Sequence, residues 1–133
     1  LYVLGNKNIR ANETLDFKNS IRFICGGNSN INMDFEACKT DCDIMDAADC
    51  YLSGKTDTLI LKTSDEAYLY GFELFSEYCN TVVSGTGEVS INVSSRLNMI
   101  ASGESNIFYT GEAKVVNRII SGSGMVVKRK HTF

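Results

Sequence analysis

The stretch VSGTGEVSIN (Val83 to Asn92) has the residue types of a phosphate-cradling loop, a calcium-binding turn or a corner of a repeat. A phosphate loop requires its Gly-rich turn to run into a helix N-terminus, often through Lys-Ser/Thr. Here the turn runs into the alternating Val89 and Ile91 with no Lys in place, so that reading fails. Calcium-binding solenoids repeat G-G-x-G-x-D-x-apolar-x, in which turn carbonyls and the Asp hold the ion. GGNSNINMD (Gly26 to Asp34) echoes the pattern. Its ligand position, however, is Asn30, later copies carry Glu88, Asn106 and Met125 there, and tandem copies nine residues apart are missing. The turns read as structural corners, and no metal site is assigned.

A second cluster places Cys38, Cys42 and Cys50 among Asp41, Asp43, Asp46 and Asp49. Zinc usually takes paired C-x₂₋₄-C knuckles or nearby histidines. Cys38 and Cys42 make one knuckle, Cys50 stands alone, and the one histidine is His131, near the C-terminus. Buried thiols or a local disulfide account for these cysteines without a metal. Nucleophilic catalysis needs a positioned base, and His131 sits in KRKHTF, read as part of a tail over 128–133. Lys128 to Lys130 reads as a solvated terminus rather than a polyanion site. A glycosidase-like carboxylate pair needs a cleft, and polysaccharide-cleaving β-helices build theirs from long loops, for which this chain has little spare length. No catalytic residue and no cofactor is assigned.

The third candidate is AYLYGFELFSEY (Ala67 to Tyr78), with Tyr68, Tyr70, Phe72, Phe75 and Tyr78 in twelve residues. Tyr68, Tyr70 and Phe72 share one parity, so a strand places them on one face. Facing inward they are core, or contact the acidic segment. Facing outward they are a platform on which sugar rings could stack.

These residues must be held by something, and composition says what. Of the 133 residues 44% are apolar and 22% charged, which suits one globular domain over 1–133. There is no proline, while Gly, Ser, Asn and Thr are plentiful. A chain that turns often without proline turns with Gly and Asn at left-handed positions, and interior strands keep every N–H for their ladders. The formal charge of −3 offers no broad attraction to nucleic acid. No apolar stretch approaches the length of a transmembrane helix. The chain opens on Leu1 without a basic or apolar leader, so it is either cytosolic or the mature form of a secreted protein. Five cysteines are an odd number, leaving at least one free or bound to another chain and the compartment open on this ground.

The decisive pattern is a repeat. Ser84-Gly85, Ser102-Gly103 and Ser121-Gly122 lie 18 and 19 residues apart. Four residues before each serine stands Asn80, Asn98 or Asn117, and five after it Val89, Ile107 or Val126. Looser copies place Gly26 in the serine column and Ile31 in the apolar one, and put Ser53-Gly54 at a further corner; TSDEAYLYG (Thr63 to Gly71) keeps the alternation without Ser-Gly. Such a period is too short for helical hairpins. It predicts an all-β fold, a single-stranded β-helix (β-solenoid) of five to six rungs with about 18–19 residues per rung, whose asparagine column is a side-chain ladder. Both residues before each serine are apolar (Val82-Val83, Ile100-Ala101, Ile119-Ile120), which implies either a bend or a fold covered on both faces. The segment 34–50 lacks clear alternation and is expected as an irregular acidic insertion, or a short helix across the solenoid. Residues 1–20 are expected as an N-terminal cap.

RLNMIASGESNIFYTGEAKVVNRIISGSGMVVKR (Arg96 to Arg129) resembles the closing rungs of the putative auto-transporter adhesin head-GIN domain family, a domain of unknown function. The resemblance is carried by Leu97, Ser102-Gly103, Ile107 to Tyr109, Gly111, Val115-Val116 and Ser121 to Gly124. It lapses over Asp34 to Cys50. It implies a right-handed β-helical protein of Bacteroidetes-type bacteria, placed at the cell surface or in the periplasm. Together these readings point to a non-catalytic extracytoplasmic binding or adhesin-like module of unknown ligand, with an extracellular glycan or surface protein as partner. The alternative is a self-associating scaffold, a homo-oligomer stacking through its exposed solenoid ends. A third reading, a small carbohydrate-binding or carbohydrate-active protein, requires a concavity beside Tyr70 or Asp46.

Overall fold

The computed structural model describes residues 2–3, 8–10 and 15–129. Within them the chain winds as a parallel β-solenoid of about six turns. The strands are β1 (Tyr2–Val3), β2 (Asn8–Arg10), β3 (Leu15–Cys25), β4 (Asn30–Ile44), β5 (Asp49–Thr63), β6 (Tyr68–Val83), β7 (Glu88–Ala101), β8 (Asn106–Thr110), β9 (Lys114–Ile120) and β10 (Val126–Lys128). Each long strand pairs in parallel with the one a turn later, β3 to β4, β5, β6 and β7 in succession, and β7 is then covered by β8 and β9. Asn30, Asp49, Tyr68, Glu88 and Asn106 are thereby vertical neighbours. Their separations of 19, 19, 20 and 18 residues are the register behind the 18–19-residue period of the serines, with one residue more between Tyr68 and Glu88.

The corners follow from backbone chemistry. One column of six residues, Gly27, Asp46, Asp65, Gly85, Gly103 and Gly122, has positive φ, between 59° and 88°. Glycine meets that conformation without penalty, and Asp is among the few other residues that tolerate it. Asp adds a second contribution here. The Asp46 carboxylate accepts the Gly27 N–H at 2.8 Å, and the Asp65 carboxylate accepts the Asp46 N–H at 3.3 Å. Each side chain thus satisfies a donor of the corner beneath it. At Gly85 there is no such room, since a Cβ would sit 2.3 Å from the Asp65 carbonyl oxygen.

Inward positions stack into apolar columns such as Ile31, Cys50, Leu69, Val89 and Ile107, all at most 2% exposed. Burying each such side chain is worth about 1.5–3 kcal/mol, and a single coil cannot bury its own face, so the turns stabilise one another. The polar residues in the core are mostly short hydroxyls with partners. Thr40 Oγ1 and Thr56 Oγ1 lie 2.9 Å apart, and the Cys79 thiol and Thr81 hydroxyl 3.5 Å. Thr63 Oγ1 is the exception, buried with no hydrogen-bond partner among the described residues.

Several expectations are corrected. The segment 34–50 is neither an insertion nor a helix: it is most of β4, the Met45–Ala48 corner and the start of β5. Alternation is present there, with Phe35, Thr40, Cys42 and Ile44 inward and Asp34, Asp41 and Asp43 turned outward. It is hard to read because Thr and Cys stand at inward positions usually held by branched aliphatics. Ser53-Gly54 is not at the Ser-Gly corner. It lies within β5 opposite Asp34 and Phe35, and Ser64-Asp65 occupies the corner instead. Residues 15–20 belong to β3 and pair with β4, so they form a rung rather than a cap; of the remaining cap residues, 1, 4–7 and 11–14 lie outside the described residues. The tail begins later than expected, because Lys128 ends β10 and the Arg129 N–H bonds the Tyr109 carbonyl at 2.7 Å. Residues 130–133, with His131, lie outside the described residues. The paired apolar residues need neither a bend nor a second cover: Val83 and Ala101 point into the core, while Val82 and Ile100 are 42% and 45% exposed.

Candidate functional site

The residues following the Ile31–Ile107 core column form a column of their own, Asn32, Tyr51, Tyr70, Ser90 and Phe108, which is exposed at Asn32, Tyr51 and Tyr70 and buried at Ser90 and Phe108. Tyr51 and Tyr70 stack with centroids 4.7 Å apart and planes within 11°, and Tyr68 lies parallel to Tyr70 at 6.2 Å. Tyr51 is 45% and Tyr70 40% exposed. The aromatic segment Ala67 to Tyr78 therefore keeps Tyr70 at the surface rather than in the core, and Phe75 and Tyr78 are exposed as well. Its inward residues are instead Leu69 and Leu74.

One irregularity shapes the surface around this column. Between the pairs Gly71–Ile91 and Phe75–Asn92, β6 carries three residues, 72–74, for which β7 has no counterpart. Leu74 turns into the core, and Phe72 and Glu73 form a raised wall beside the tyrosines. Asn92 holds the bulge in place: its side-chain N–H donates to the Phe72 carbonyl at 3.1 Å, while Ser76 Oγ donates to the Asn92 carbonyl at 2.9 Å. Gly71 is required beside it, because a Cβ there would stand 2.9 Å from the Ser90 carbonyl oxygen.

Column and wall enclose a groove of about 490 Å³ running from Asn32 to Phe108 and Arg129. Its floor is aromatic, and its polar side chains, besides the tyrosine hydroxyls, are Asn32, Ser53, Glu73, Glu88, Ser90 and Arg129. The Arg129 guanidinium lies 4.5 Å over the Phe108 ring, a cation–π contact that closes the far end. Partial burial first, then Tyr51 and the carboxylates of Asp49 and Glu88, push the Tyr70 phenol above its ordinary value, so it remains a neutral hydroxyl at physiological pH.

The acidic cysteine cluster does not come together. Cys38 is exposed, whereas Cys42 and Cys50 are buried on β4 and β5. None of the five cysteines is joined in a disulfide. The neighbouring Cys25 thiol first, then burial, pushes the Cys50 thiol well above its ordinary range. A second concavity, of about 520 Å³, lies along the corners beside Asp46 and Asp65, whose carboxylates are engaged by backbone N–H groups as described above. The concavity required beside Tyr70 is present, and so is one beside Asp46.

Sequence reasoning singled out Tyr68, Tyr70 and Phe72 but missed Tyr51, Glu88 and Phe108. The signal existed: alignment on Ile31, Cys50, Leu69, Val89 and Ile107 brings Tyr51, Tyr70 and Phe108 into one column. Placing Ser53 at a corner broke that alignment.

Solved structures with this fold come from two bacteria. An adhesin, designated putative, from Parabacteroides merdae superposes with a TM-score of 0.91 at 18% identity, covering 96% of this chain and 53% of the other. A second such adhesin, from Parabacteroides distasonis, gives 0.77 at 22% identity, covering 96% and 58%. A putative lipid binding protein from P. distasonis gives 0.67 at 16% identity, with the same coverage. The chain thus spans little more than half the length of these relatives. No curated protein matches it significantly in sequence. No helix among the described residues is long and apolar enough to cross a membrane. The family model described as "Putative auto-transporter adhesin, head GIN domain" matches residues 1–113, six-sevenths of the chain but not its last coil, and the protein belongs to that family.

Proposed function

We propose that this chain is a non-catalytic binding module of an extracytoplasmic protein, and that the Tyr51–Tyr70 groove is its binding face. The observation that carries the reading is the pair of stacked, solvent-facing tyrosines beside a built wall. Large aromatic rings are normally buried, and a contiguous exposed set beside a concavity is the usual mark of a recognition surface. Membership in a family of adhesins supports a surface role. The groove's carboxylates, Glu73 and Glu88, stand beside rings rather than flanking a deep cleft, which supports binding over hydrolysis. The test is an array of glycans, matrix proteins, peptides and lipids probed with the folded domain and with a Tyr51→Ala/Tyr70→Ala variant. Binding that disappears in the variant is the expected result; no binding above background by the native chain overturns the reading.

A second reading is self-association. Val82, Ile100 and Ile119 form an exposed apolar column, and Ile120 and Met125 of the last coil are also exposed. Sedimentation over a concentration series decides it: a persistent monomer removes the scaffold.

A further inference from the structure

Independently of the groove, we infer that the open end of the coil formed by β9 and β10 docks on an anionic phospholipid membrane. Among the described residues β9 and β10 are edge strands, paired only to β7 and β8. At this coil two core columns change character. The Leu61, Thr81, Met99 column is continued by Arg118, and the Ile91, Tyr109 column by Lys128. The residues beneath are buried, whereas Arg118 and Lys128 are exposed. Ile120 continues the buried Val83–Ala101 column and is 37% exposed. A residue standing over a core column gains its exposure at the uncovered end, so these three side chains mark that end. Arg118 Nη2 donates to the Val126 carbonyl at 3.4 Å, which holds the guanidinium between β9 and β10. Ile119 and Met125, in the same coil, are 59% and 54% exposed.

Charge is segregated along the chain in the same direction. Residues 112–133 carry Lys114, Arg118, Lys128, Arg129 and Lys130 against Glu112 alone. The whole chain has 13 cations and 16 anions, which leaves eight and fifteen for residues 1–111. The formal charge is thus −7 up to residue 111 and +4 beyond it. An anionic surface attracts the basic end and repels the rest, which orients the molecule end-on.

The mixture of charge and apolar surface selects among occupants. A second copy meeting this end with its own would set five cations against five. One stacking a different rung there would bury Arg118 and Lys128 over apolar columns, which is costly without carboxylates to pair them. A soluble polyanion would use the cations but leave Ile119, Ile120 and Met125 in water. At an anionic membrane the cations stay at the hydrated headgroups while the apolar side chains enter the acyl boundary. The long stems of Arg and Lys let both happen together.

Co-sedimentation of the full chain with phosphatidylcholine vesicles, containing or lacking about a third phosphatidylglycerol, tests this. Saturable binding to the anionic vesicles alone is expected, released by raising salt from about 0.1 M to about 1 M. Arg118→Gln/Lys128→Gln should weaken it about tenfold or more, and so should Ile119→Ser/Met125→Ser. Lys39→Gln/Lys62→Gln removes the same charge from β4 and β5 and should leave binding unchanged. Thermal melting separates lost docking from lost folding; should the serine pair unfold, the two charge variants and the salt dependence still decide. No binding to anionic vesicles, or equal loss in the Lys39→Gln/Lys62→Gln variant, overturns the inference. Heparin bound through Arg118 and Lys128 without vesicle binding also overturns it and makes the end a polyanion site. Dimers abolished by Ile119→Ser/Met125→Ser, again without vesicle binding, overturn it in favour of a second copy.

Discussion

Two columns of the same solenoid make opposite use of stacking. On one, Asn80, Asn98 and Asn117 are vertical neighbours, and each side-chain amide donates to the carbonyl oxygen of the one before it, at 2.7 and 3.0 Å. On the other, Tyr51 and Tyr70 stack, Ser90 interrupts, and Phe108 resumes under Arg129. A column of one repeated residue type consumes its own hydrogen-bonding capacity, so the repeat stabilises itself and offers little to a ligand. A column that changes residue type from rung to rung leaves surfaces and polar groups for something else. In a fold where repetition is structure, the departures from repetition mark the site.

Four experiments bear on that contrast. The largest effect is expected beneath both columns, where the core is shared. Leu69→Ala, next to Tyr70, and Leu97→Ala, next to Asn98, should each cost about 2–5 kcal/mol in urea unfolding; a cost below about 1 kcal/mol for either would mean that its column does not rest on that core. Next come the columns themselves. Asn98→Ala removes both ladder bonds and should lower stability by about 1–2 kcal/mol without touching ligand binding. Tyr70→Ala should do the reverse, abolishing binding at little cost in stability, because its ring is already substantially exposed. Equal stability losses from these two variants would erase the distinction between ladder and site. A smaller gain is expected at Thr63, whose buried hydroxyl has no partner among the described residues: Thr63→Val should raise stability by about 1 kcal/mol, read as a higher melting temperature.

The mildest test uses the thiols. Cys38 is exposed and the other four are buried, so a thiol reagent at pH 8 should label one cysteine rapidly in the native protein and five after denaturation. Burial pushes the Cys79 thiol up to about 12 from its ordinary value of 9.0, partly offset by its contact with Thr81. The unfolded chain loses that proton near pH 9 and the folded chain holds it until near 12. Stability contributed by the protonated thiol is therefore complete below about pH 9 and lost as pH rises towards 12. Urea midpoints should fall over that window, and less steeply for Cys79→Ala.

The asparagine ladder was legible because it is written three times at constant spacing, and so was the solenoid it belongs to. Segment 34–50 was not, since Thr40 and Cys42 fill inward positions with weakly apolar residues and the acidic residues between them suggest a loop. The Asp46 and Asp65 corners were hidden for a related reason, because Asp replaces the glycine that signals a left-handed turn.

Local chemistry in the sequence determined the parts that repeat: β alternation, small-residue corners, the absence of proline and the 18–19-residue period each follow from what neighbouring residues can do. The groove depends on what lies one full turn away. Tyr51 and Tyr70 are 19 residues apart and meet only because β5 and β6 are in register. The wall at Phe72 and Glu73 exists because β7 lacks three residues that β6 has, a property of neither strand alone. Parallel stacking converts sequence separation into adjacency, and one inserted residue shifts every pairing that follows. Tertiary register therefore decided where the site lies.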